Sequence, residues 1–457
     1  MKLPFWPQIS EHKDIKLRLN NVTNLLSRIG NPHQSLPPVI HVAGTNGKGS
    51  TIAYMGAILK DAGYKVHCYT SPHLVNFNER IVLNGKQIED KFLNKLLKEC
   101  KLACETDPKI EVTFFEGVTA AAFLAFSRVK SDILLMETGM GGRLDATNVV
   151  EKPLATIITP ISFDHGQFLG NSLDKIAMEK CGIIKDSVPL IVARQEEPAL
   201  ETIKSQGQKK NAPLYIFNNQ WQISKKDQKL MTFTMNNHQI NLPYPCLEGD
   251  HQIENAGTAI AALLSIKNFK IKNDNIKNGL LKAKWSARLE QINKGKLYNL
   301  LPKNYQLFVD GGHNPHAAKA IAEWINNQNN QNLKNDKPKV KIYLICAMSK
   351  DKNSSDFLKH FVGLVDFVST MNIKDNPKSK SAIQLAKYAL YSGLQSCNVE
   401  NFQEAFEDIR ALHENDVQIS KSSFIKRIFG KKPKKKPAII IICGSLYLAG
   451  QFLAENS

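Results

Sequence analysis

Short apolar segments alternate with amphipathic segments along most of the chain. Residues 39–43 are apolar, follow Pro37-Pro38 and predict a buried strand, and residues 52–59 follow with the spacing of a helix. The same alternation predicts further strands at 66–70, 132–137, 155–160 and 189–193, and helices at 10–29, 92–104, 117–126, 173–184 and 255–266. Strands that alternate with helices indicate an α/β fold built on mostly parallel sheets.

A second series of alternating strands and helices begins after residue 304. Its predicted strands are 306–310, 340–346, 367–370 and 438–443, and its predicted helices are 316–327, 354–364, 381–391 and 402–413. Earlier in the chain, residues 213–245 predict a small antiparallel patch, and the more polar residues 282–303 end the first series. We therefore predict one domain at 1–287, a linker at 288–304 and a smaller α/β domain at 305–457.

The composition is that of a globular protein without a membrane span. The chain has 457 residues, of which 42% are hydrophobic and 22% charged. No apolar run approaches the ~20 residues that cross a bilayer, and the N-terminus lacks the features of a secretory signal. The eight cysteines show no CxxC or CxxH spacing. We expect a cytoplasmic protein with reduced thiols and no membrane partner.

The net charge of +18 raises the question of a nucleic-acid partner. Between Lys426 and Lys436, seven residues are Lys or Arg, but Gly430 and Pro433 interrupt the run. No aromatic residues alternate with the basic ones to stack on bases. The run predicts a solvated loop, and we expect no nucleic-acid binding. A positive field also suits small polyanionic substrates.

The strongest candidate for chemistry follows the strand at 39–43. The sequence Gly44-Thr45-Asn46-Gly47-Lys48-Gly49-Ser50-Thr51 lies between that strand and a helix, which is the arrangement of a phosphate-binding loop. Gly44 and Gly47 are closer than in the common G-x-x-x-x-G-K-[ST] pattern, and Gly49 follows the lysine. Ser50 or Thr51 must therefore supply any hydroxyl for a metal. The alternative is a glycine-rich turn with an exposed lysine.

Polar residues also follow other predicted strands. Glu137 ends one strand and precedes a glycine-rich segment, Ser71 follows another strand, and Asp164-His165 follow a third. Ligands of open α/β sheets collect at the carboxyl ends of the strands. Taken alone, Glu137 fits an ion pair or cap equally well, and His165 fits a hydrogen-bonded loop residue.

Four motifs together resemble the folylpolyglutamate synthase/dihydrofolate synthase family. They are Gly44 to Ser50, Ser71-Pro72-His73-Leu74, Gly141-Gly142-Arg143-Leu144-Asp145-Ala146-Thr147-Asn148 and His313-Asn314-Pro315-His316. The family belongs to the ATP-dependent amide ligases that include the Mur enzymes. The resemblance implies a P-loop-containing, Mur-ligase-like domain followed by a smaller Rossmann-like domain. It also implies ATP-dependent activation of a carboxylate as an acyl phosphate, which the amine of L-glutamate attacks.

The resemblance assigns roles around the loop. Gly47, Lys48, Gly49 and Ser50 are expected to hold the ATP phosphates, and one or two Mg²⁺ ions are expected at Ser71, Glu137, His165 and Lys180. Glu137, His165 and Lys180 are the expected catalytic residues. The matching lysine of the family is carbamylated, and Cys181 stands here in place of the usual alanine. Desolvation or the metal must assist carbamylation, because an ordinary lysine is almost fully protonated.

Other positions are expected to contact the nucleotide and glutamate. Asn255 matches an adenine-side asparagine, Arg288 an arginine that reaches phosphate, and Asp310 a residue at the ribose. The family usually has Pro-Gly before that arginine, whereas this chain has Ser286-Ala287. His313 and His316 are expected near the incoming glutamate.

The acceptor is expected to be dihydropteroate or a folate. Thr113, Phe114, Phe115 and Glu116 resemble a dihydropteroate-binding segment, and Leu144 of the 141–148 motif is also expected to bind the acceptor. Residues 16–19 depart from an Asp-Leu-Gly-Leu-like stretch of the forms that use dihydropteroate. Polyglutamylation without dihydrofolate synthase activity therefore stays an alternative. We expect a monomer.

Three other classes of protein share part of these features. A Mur enzyme shares the loop and Lys180 but carries an extra N-terminal domain, and only about 35 residues precede Pro37-Pro38 and the strand that leads into the loop here. A P-loop GTPase or kinase leaves His313 to His316 unexplained. A non-enzymatic nucleic-acid-binding protein accounts only for the charge.

Overall fold

A computed structural model describes residues 4–7, 18–236, 238–334, 340–421 and 437–457. The chain divides into two compact units, the first formed by Met1–Cys246 and His251–Trp285 and the second by Leu247–Asp250 and Ser286–Ser457. The basic run at 426–436 and residues 8–17, which include part of the helix predicted at 10–29, lie outside the described residues.

The first unit is built on an eight-stranded sheet. Its strands are β1 (Val39–Ala43), β2 (Val66–Tyr69), β3 (Ile81–Leu83), β4 (Lys86–Gln87), β5 (Ile133–Glu137), β6 (Ala155–Ile158), β7 (Leu190–Val192) and β8 (Leu214–Ile216). They are arranged in the order β4-β3-β2-β5-β1-β6-β7-β8. All neighbouring strands are parallel except in the β2-β3-β4 edge. The strand before the glycine-rich loop therefore lies inside the sheet, between β5 and β6.

Helices cover the sheet and bury its strands. The strands β1, β5 and β6 are buried at every residue, as the near-continuous apolar sequence of interior parallel strands requires. The helices are α1 (Asn20–Arg28), α2 (Lys48–Asp61), α3 (Asp90–Glu105), α4 (Phe114–Arg128), α5 (Gly166–Leu169), α6 (Leu173–Cys181), α7 (Glu197–Lys209), α8 (His251–Ser265) and α9 (Asn273–Lys282).

The antiparallel patch predicted at 213–245 is smaller than its predicted range. Strands β9 (Trp221–Lys225), β10 (Leu230–Met235) and β11 (His238–Pro243) form a three-stranded antiparallel sheet. Its first predicted part, β8, instead pairs in parallel with β7 as the edge of the main sheet. Three apolar residues are too few for periodicity to distinguish these two placements.

The second unit contains a six-stranded sheet. Its strands are β12 (Glu290–Ile292), β13 (Tyr305–Val309), β14 (Lys341–Cys346), β15 (Phe367–Thr370), β16 (Ser396–Asn398) and β17 (Ala438–Cys443), in the order β12-β13-β17-β14-β15-β16. Only β12 is antiparallel to its neighbour. It lies within the segment predicted as a linker. The helices are α10 (Pro315–Lys334), α11 (Ser354–Leu358), α12 (Ala382–Tyr391), α13 (Phe402–Lys421) and α14 (Leu446–Asn456).

Candidate active site

The glycine-rich loop connects β1 to α2, as predicted. Gly44 has φ 150° and Gly47 has φ 85°, a left-handed conformation that favours glycine. A β-carbon at Gly44 would lie 1.8 Å from Thr159 Oγ1, and one at Gly47 would lie 2.4 Å from Asn255 Oδ1. Both glycines are therefore required by close neighbours as well as by backbone conformation. The loop leads directly into the N-terminus of α2, where unpaired N–H groups favour an anion.

Two lysine amines meet at this loop. Lys48 Nζ donates to the carbonyl oxygens of Gly44 (3.1 Å) and Thr45 (3.2 Å), and Lys180 Nζ donates to that of Gly44 at 2.8 Å. Burial of the Lys180 side chain, and next the charge of Lys48, lower the pKa of Lys180 to about 7. The lowered pKa of Lys180 favours its neutral amine.

Glu137 lies beside these lysines. The residue ends β5 and is buried, and its Oε1 is 3.7 Å from Lys48 Nζ. Its Oε2 accepts a hydrogen bond from the backbone N–H of Ser71 at 3.1 Å. Contacts therefore connect three of the sequence-predicted positions, Lys48, Glu137 and Ser71, at the carboxyl ends of β2 and β5.

The loop after β6 approaches the glycine-rich loop through backbone and hydroxyl groups. Thr45 Oγ1 donates to Ser162 O and accepts from Ser162 N, each at 3.1 Å. His165 follows three residues later with φ 52°, and its Nε2 lies 3.9 Å from Asp164 Oδ2. The imidazole is more than one-third exposed. The structure thus brings the loop of His165 to the site, and the ring of His165 lies near the carboxylate of its neighbour Asp164.

Oxygen atoms that could bind the predicted metal ion lie at the glycine-rich loop. Within the described parts of the chain, no group of three or more His, Cys, Asp or Glu side chains is placed to hold a metal ion. However, the buried hydroxyls of Ser50 and Thr51 in the first turn of α2 have no hydrogen-bond partner. Burying a hydroxyl without a partner is costly. These hydroxyls and the Glu137 carboxylate fit oxygen ligation of a hard cation beside phosphate.

Close backbone packing fixes the position of Lys180 on α6. A β-carbon at Gly182 would lie 2.2 Å from Arg143 Cα, and one at Gly142 would lie 2.8 Å from Lys180 O. Arg143 N donates to Glu179 O at 2.7 Å, and its guanidinium donates to Glu179 Oε1 at 2.9 Å. The two glycines therefore permit the 141–148 segment to lie against the end of α6.

A buried network behind Glu137 was not singled out from the sequence. Asp145 Oδ2 accepts from the backbone N–H groups of Gly139 and Met140, each at 2.9 Å. The hydroxyl of Thr147 donates to Asp145 Oδ1 and lies 2.8 Å from His41 Nε2. Burial lowers the pKa of His41 to about 3, so its ring is neutral. Because Thr147 donates its hydroxyl proton to Asp145, we assign the ring proton of His41 to Nε2, which then donates to the Thr147 oxygen. The network fixes the turn after β5; the signal was the Asp-x-Thr of the 141–148 motif.

The predicted dihydropteroate segment has a structural role in the first unit. Thr113 is the N-cap of α4: its Oγ1 accepts from Glu116 N, and Glu116 Oε2 accepts from Thr113 N at 2.7 Å. Phe114 lies under the guanidinium of Arg80, 5.6 Å from ring centroid to Cζ. A β-carbon at Gly139 would lie 2.5 Å from Phe115 Cζ. Leu144 is half-buried. These contacts place Phe115 against the turn that follows Glu137.

In the second unit, Asp310 organises the backbone around Arg288. Its Oδ2 accepts from Leu289 N at 2.9 Å, and its Oδ1 accepts from Gly312 N. The flanking residues Ala287 and Leu289 have φ 55° and 46°, a conformation that costs a residue with a β-carbon about 1 kcal/mol or more. The missing glycine before Arg288 thus leaves the turn intact, with Ala287 carrying the strain.

Two family models match most of the chain. Residues 42–263 match the model of the Mur ligase middle domain, and residues 293–455 match that of the dihydrofolate synthetase C-terminal domain. The first match assigns residues 42–263 to the class of Mur-type ligases, and the second relates the C-terminal part of the chain to dihydrofolate synthetases.

Full-length relatives specify the family. A dihydrofolate synthase/folylpolyglutamate synthase of Bacillus subtilis is 32% identical, covering 95% of this chain and 93% of its own. A probable dihydrofolate synthetase of Schizosaccharomyces pombe is 31% identical, covering 95% and 97%. The structure of Escherichia coli FolC with DHPP and ADP has a TM-score of 0.80 and 27% identity, covering 97% and 94%. The chain belongs to the dihydrofolate synthase/folylpolyglutamate synthase family, whose members are ATP-dependent, amide-forming ligases.

A further similar structure contains a nucleotide analogue, a divalent metal and glutamate. A bifunctional folylpolyglutamate synthase/dihydrofolate synthase with Mn, AMPPNP and L-glutamate bound has a TM-score of 0.77 and 26% identity, covering 97% of this chain and 95% of its own.

Among the residues described here, no helix is both long and apolar enough to span a membrane.

Proposed function

We propose that this chain ligates L-glutamate to dihydropteroate, to a reduced folate or its polyglutamates, or to both classes of acceptor, with consumption of ATP. The observation that carries the proposal is the convergence of Lys48, Lys180 and buried Glu137 on a glycine-rich loop at the carboxyl ends of parallel strands. The names of its relatives, which are dihydrofolate synthase/folylpolyglutamate synthase for one and probable dihydrofolate synthetase for the other, support these acceptors.

The reaction has two balanced steps. A carboxylate oxygen of the acceptor attacks the γ-phosphorus of ATP, and ADP leaves. The amine of glutamate then attacks the acyl carbon, phosphate leaves and the amine loses a proton as the amide forms. Gly47, Lys48, Gly49 and Ser50 hold the phosphates, with their charge offset by the lysine and by N–H groups of α2. Asn255, Arg288 and Asp310 contact the nucleotide.

The divalent ion is proposed to be Mg²⁺, as one or two ions. Ser71, Glu137, His165 and a carbamylated Lys180 would hold it, and Ser50 adds a hydroxyl. Bound there, Mg²⁺ would neutralise phosphate charge. An unmodified lysine is a poor ligand, and only one carboxylate, Glu137, belongs to this set. A carbamate on Lys180 supplies a second.

Carbamylation of Lys180 is chemically accessible. The neutral amine attacks CO₂, forms an N–C bond and loses a proton, which gives a carbamate anion. Burial favours the neutral amine, and the nearby Lys48 cation offsets the charge of the product. An electron-density map or an intact mass of the active, metal-bound protein with an unmodified amine would refute this assignment.

The acceptor site is proposed to include Thr113, Phe114, Phe115, Glu116 and Leu144. Polyglutamylation without dihydrofolate synthase activity is the second candidate, favoured by the residues at 16–19, which lack the acid and glycine of the dihydropteroate-using forms. We also propose residues 305–457 as the glutamate-ligase domain, with His313 and His316 near glutamate, and a monomeric cytoplasmic enzyme that binds no nucleic acid.

One assay separates these candidates. ADP release and amide product are measured with Mg-ATP and L-glutamate, using dihydropteroate or tetrahydrofolate, and omission of glutamate is the control. Product with both acceptors supports the bifunctional proposal, and product with tetrahydrofolate alone supports the second candidate. Absence of product with either acceptor, in bicarbonate buffer, refutes both.

A further inference from the structure

The third glycine of the loop is covered by a tryptophan. A β-carbon at Gly49, the second residue of α2, would lie 2.5 Å from Cζ2, 2.6 Å from Cε2 and 2.7 Å from Nε1 of Trp285. The indole therefore packs directly on the loop backbone. Trp285 is half-buried, and its whole ring edge, rather than a flexible side-chain end, occupies the space. Gly49 is thus needed for this contact, since its backbone has no left-handed φ that would require glycine.

Trp285 also occupies a special position along the chain. It is the last residue of the first unit, and Ser286 begins the longer of the two segments that form the second. Arg288, the proposed phosphate-binding arginine, follows three residues later in the strained turn between Ala287 and Leu289.

We propose that Trp285 is a positioning residue for the nucleotide. It acts through Gly49 by fixing the first turn of α2, whose N–H groups bind phosphate. This inference rests on the proposed binding of ATP at the loop. The inference requires that substitutions of Trp285 and Gly49, which are 236 positions apart in the sequence, have coupled effects on the affinity for nucleotide.

The first test measures nucleotide binding. Mg-ADP is titrated calorimetrically into the full chain and into the W285A and W285F variants, with unfolding curves as a check on folding. We expect Kd to rise about tenfold or more in W285A and less than about threefold in W285F, because the phenyl ring still covers Gly49. W221F, at a buried tryptophan of the β9–β11 sheet, is the matched control and should bind as wild type.

The second test measures the coupling. Gly49→Ala in wild type should weaken Mg-ADP binding because its β-carbon meets the indole, and in the W285A background the same change should cost at least about fivefold less. Equal cost in both backgrounds, or wild-type affinity in a folded W285A variant, overturns the inference. A wild-type chain that binds no nucleotide overturns the proposed function as well, which separates the two failures.

Discussion

Lys48 and Lys180 donate to the same acceptor, the carbonyl oxygen of Gly44, at 3.1 and 2.8 Å. Two cations so placed repel each other, and the buried one responds by losing its proton more readily. The pKa of Lys180 is about 7, lowered first by burial and then by the charge of Lys48. An ordinary lysine near 10.4 is neutral in only about one molecule per thousand at pH 7.4. The arrangement therefore supplies the nucleophilic amine that a carbamate needs.

A small carboxylic acid should restore part of the activity that is lost when the Lys180 amine is removed. In Lys180→Ala, we expect the rate of amide formation to fall by about a hundredfold or more, since the proposed carbamate ligand is lost. Formate or acetate, which places a carboxylate in the space left by the side chain, should restore part of the rate. Steady-state rates with and without the acid check this.

Lys185→Ala is the matched control for that experiment. Lys185 is also partly buried but donates to Asn148 O, outside the glycine-rich loop. The Lys185→Ala variant should form amide at about the wild-type rate, and neither formate nor acetate should change that rate. Failure of every short carboxylate to raise the rate of a folded Lys180→Ala variant would count against the carbamate.

The buried Lys180 should also cost stability in a pH-dependent way. Its pKa falls from 10.5 unfolded to about 7 folded, so between these values the unfolded chain binds more protons. The free energy of unfolding should rise with pH across this window by up to about 1.4 kcal/mol per pH unit. Lys180→Met, which has no such proton, should be more stable than wild type at pH 6.5, with the advantage shrinking towards pH 9.5.

Denaturant unfolding in CO₂-free buffer measures that difference. Bicarbonate must be absent because carbamylation would shift the same equilibrium. A Lys180→Met advantage that stays constant from pH 6.5 to 9.5 would show that the amine titrates normally in the folded chain.

Thr147 should matter to stability although it is absent from the proposed substrate contacts. Thr147→Val removes the hydroxyl between Asp145 and His41, and leaves a buried carboxylate oxygen and a buried ring N–H without it. We expect a loss of about 1–3 kcal/mol in the free energy of unfolding. Thr232→Val removes an exposed strand hydroxyl bonded to Asn241 and should change it by less than about 0.5 kcal/mol. Similar effects at both sites would contradict the role of the network.

Ala287 offers a test of backbone strain. With φ 55°, its β-carbon opposes the conformation, so Ala287→Gly should raise the free energy of unfolding by up to about 1 kcal/mol. Ala389→Gly, at an equally buried position inside α12, should lower it by about 1 kcal/mol because glycine disfavours a helix. Thermal unfolding of both variants gives the two signs; a lower Tm for Ala287→Gly would show that the turn is not strained.

The fold was largely predictable because interior parallel strands are continuous apolar runs. The bounds predicted for β1, β15 and β17 match the structure, and the α/β class is confirmed. The edge strands were missed: β12 and β16 have three residues each and expose polar side chains, so periodicity gives no signal. In β12, pairing with β13 decides the conformation.

The parts of the site that consist of residues close together in the sequence were predictable. Glycines, Lys48 and strand-end Glu137 predict a phosphate-binding loop by position alone, and the structure brings Lys48, Glu137 and Ser71 together beside the glycine-rich loop. Contacts between distant segments had no such signal. Neither the indole of Trp285 on Gly49 nor the ring of His41 on Thr147 follows from spacing, because packing of the folded chain creates both.

The central claim is that ATP activates the acceptor carboxylate as an acyl phosphate. Transfer of an oxygen atom from that carboxylate to phosphate tests this claim most directly. An acceptor labelled with ¹⁸O in both oxygens of its reacting carboxylate is turned over with Mg-ATP and L-glutamate, and the released phosphate is analysed by mass spectrometry. Formation of an acyl phosphate places one carboxylate oxygen in each phosphate, so we predict one ¹⁸O per phosphate formed with the amide. Amide formation that leaves all phosphate unlabelled would contradict the account.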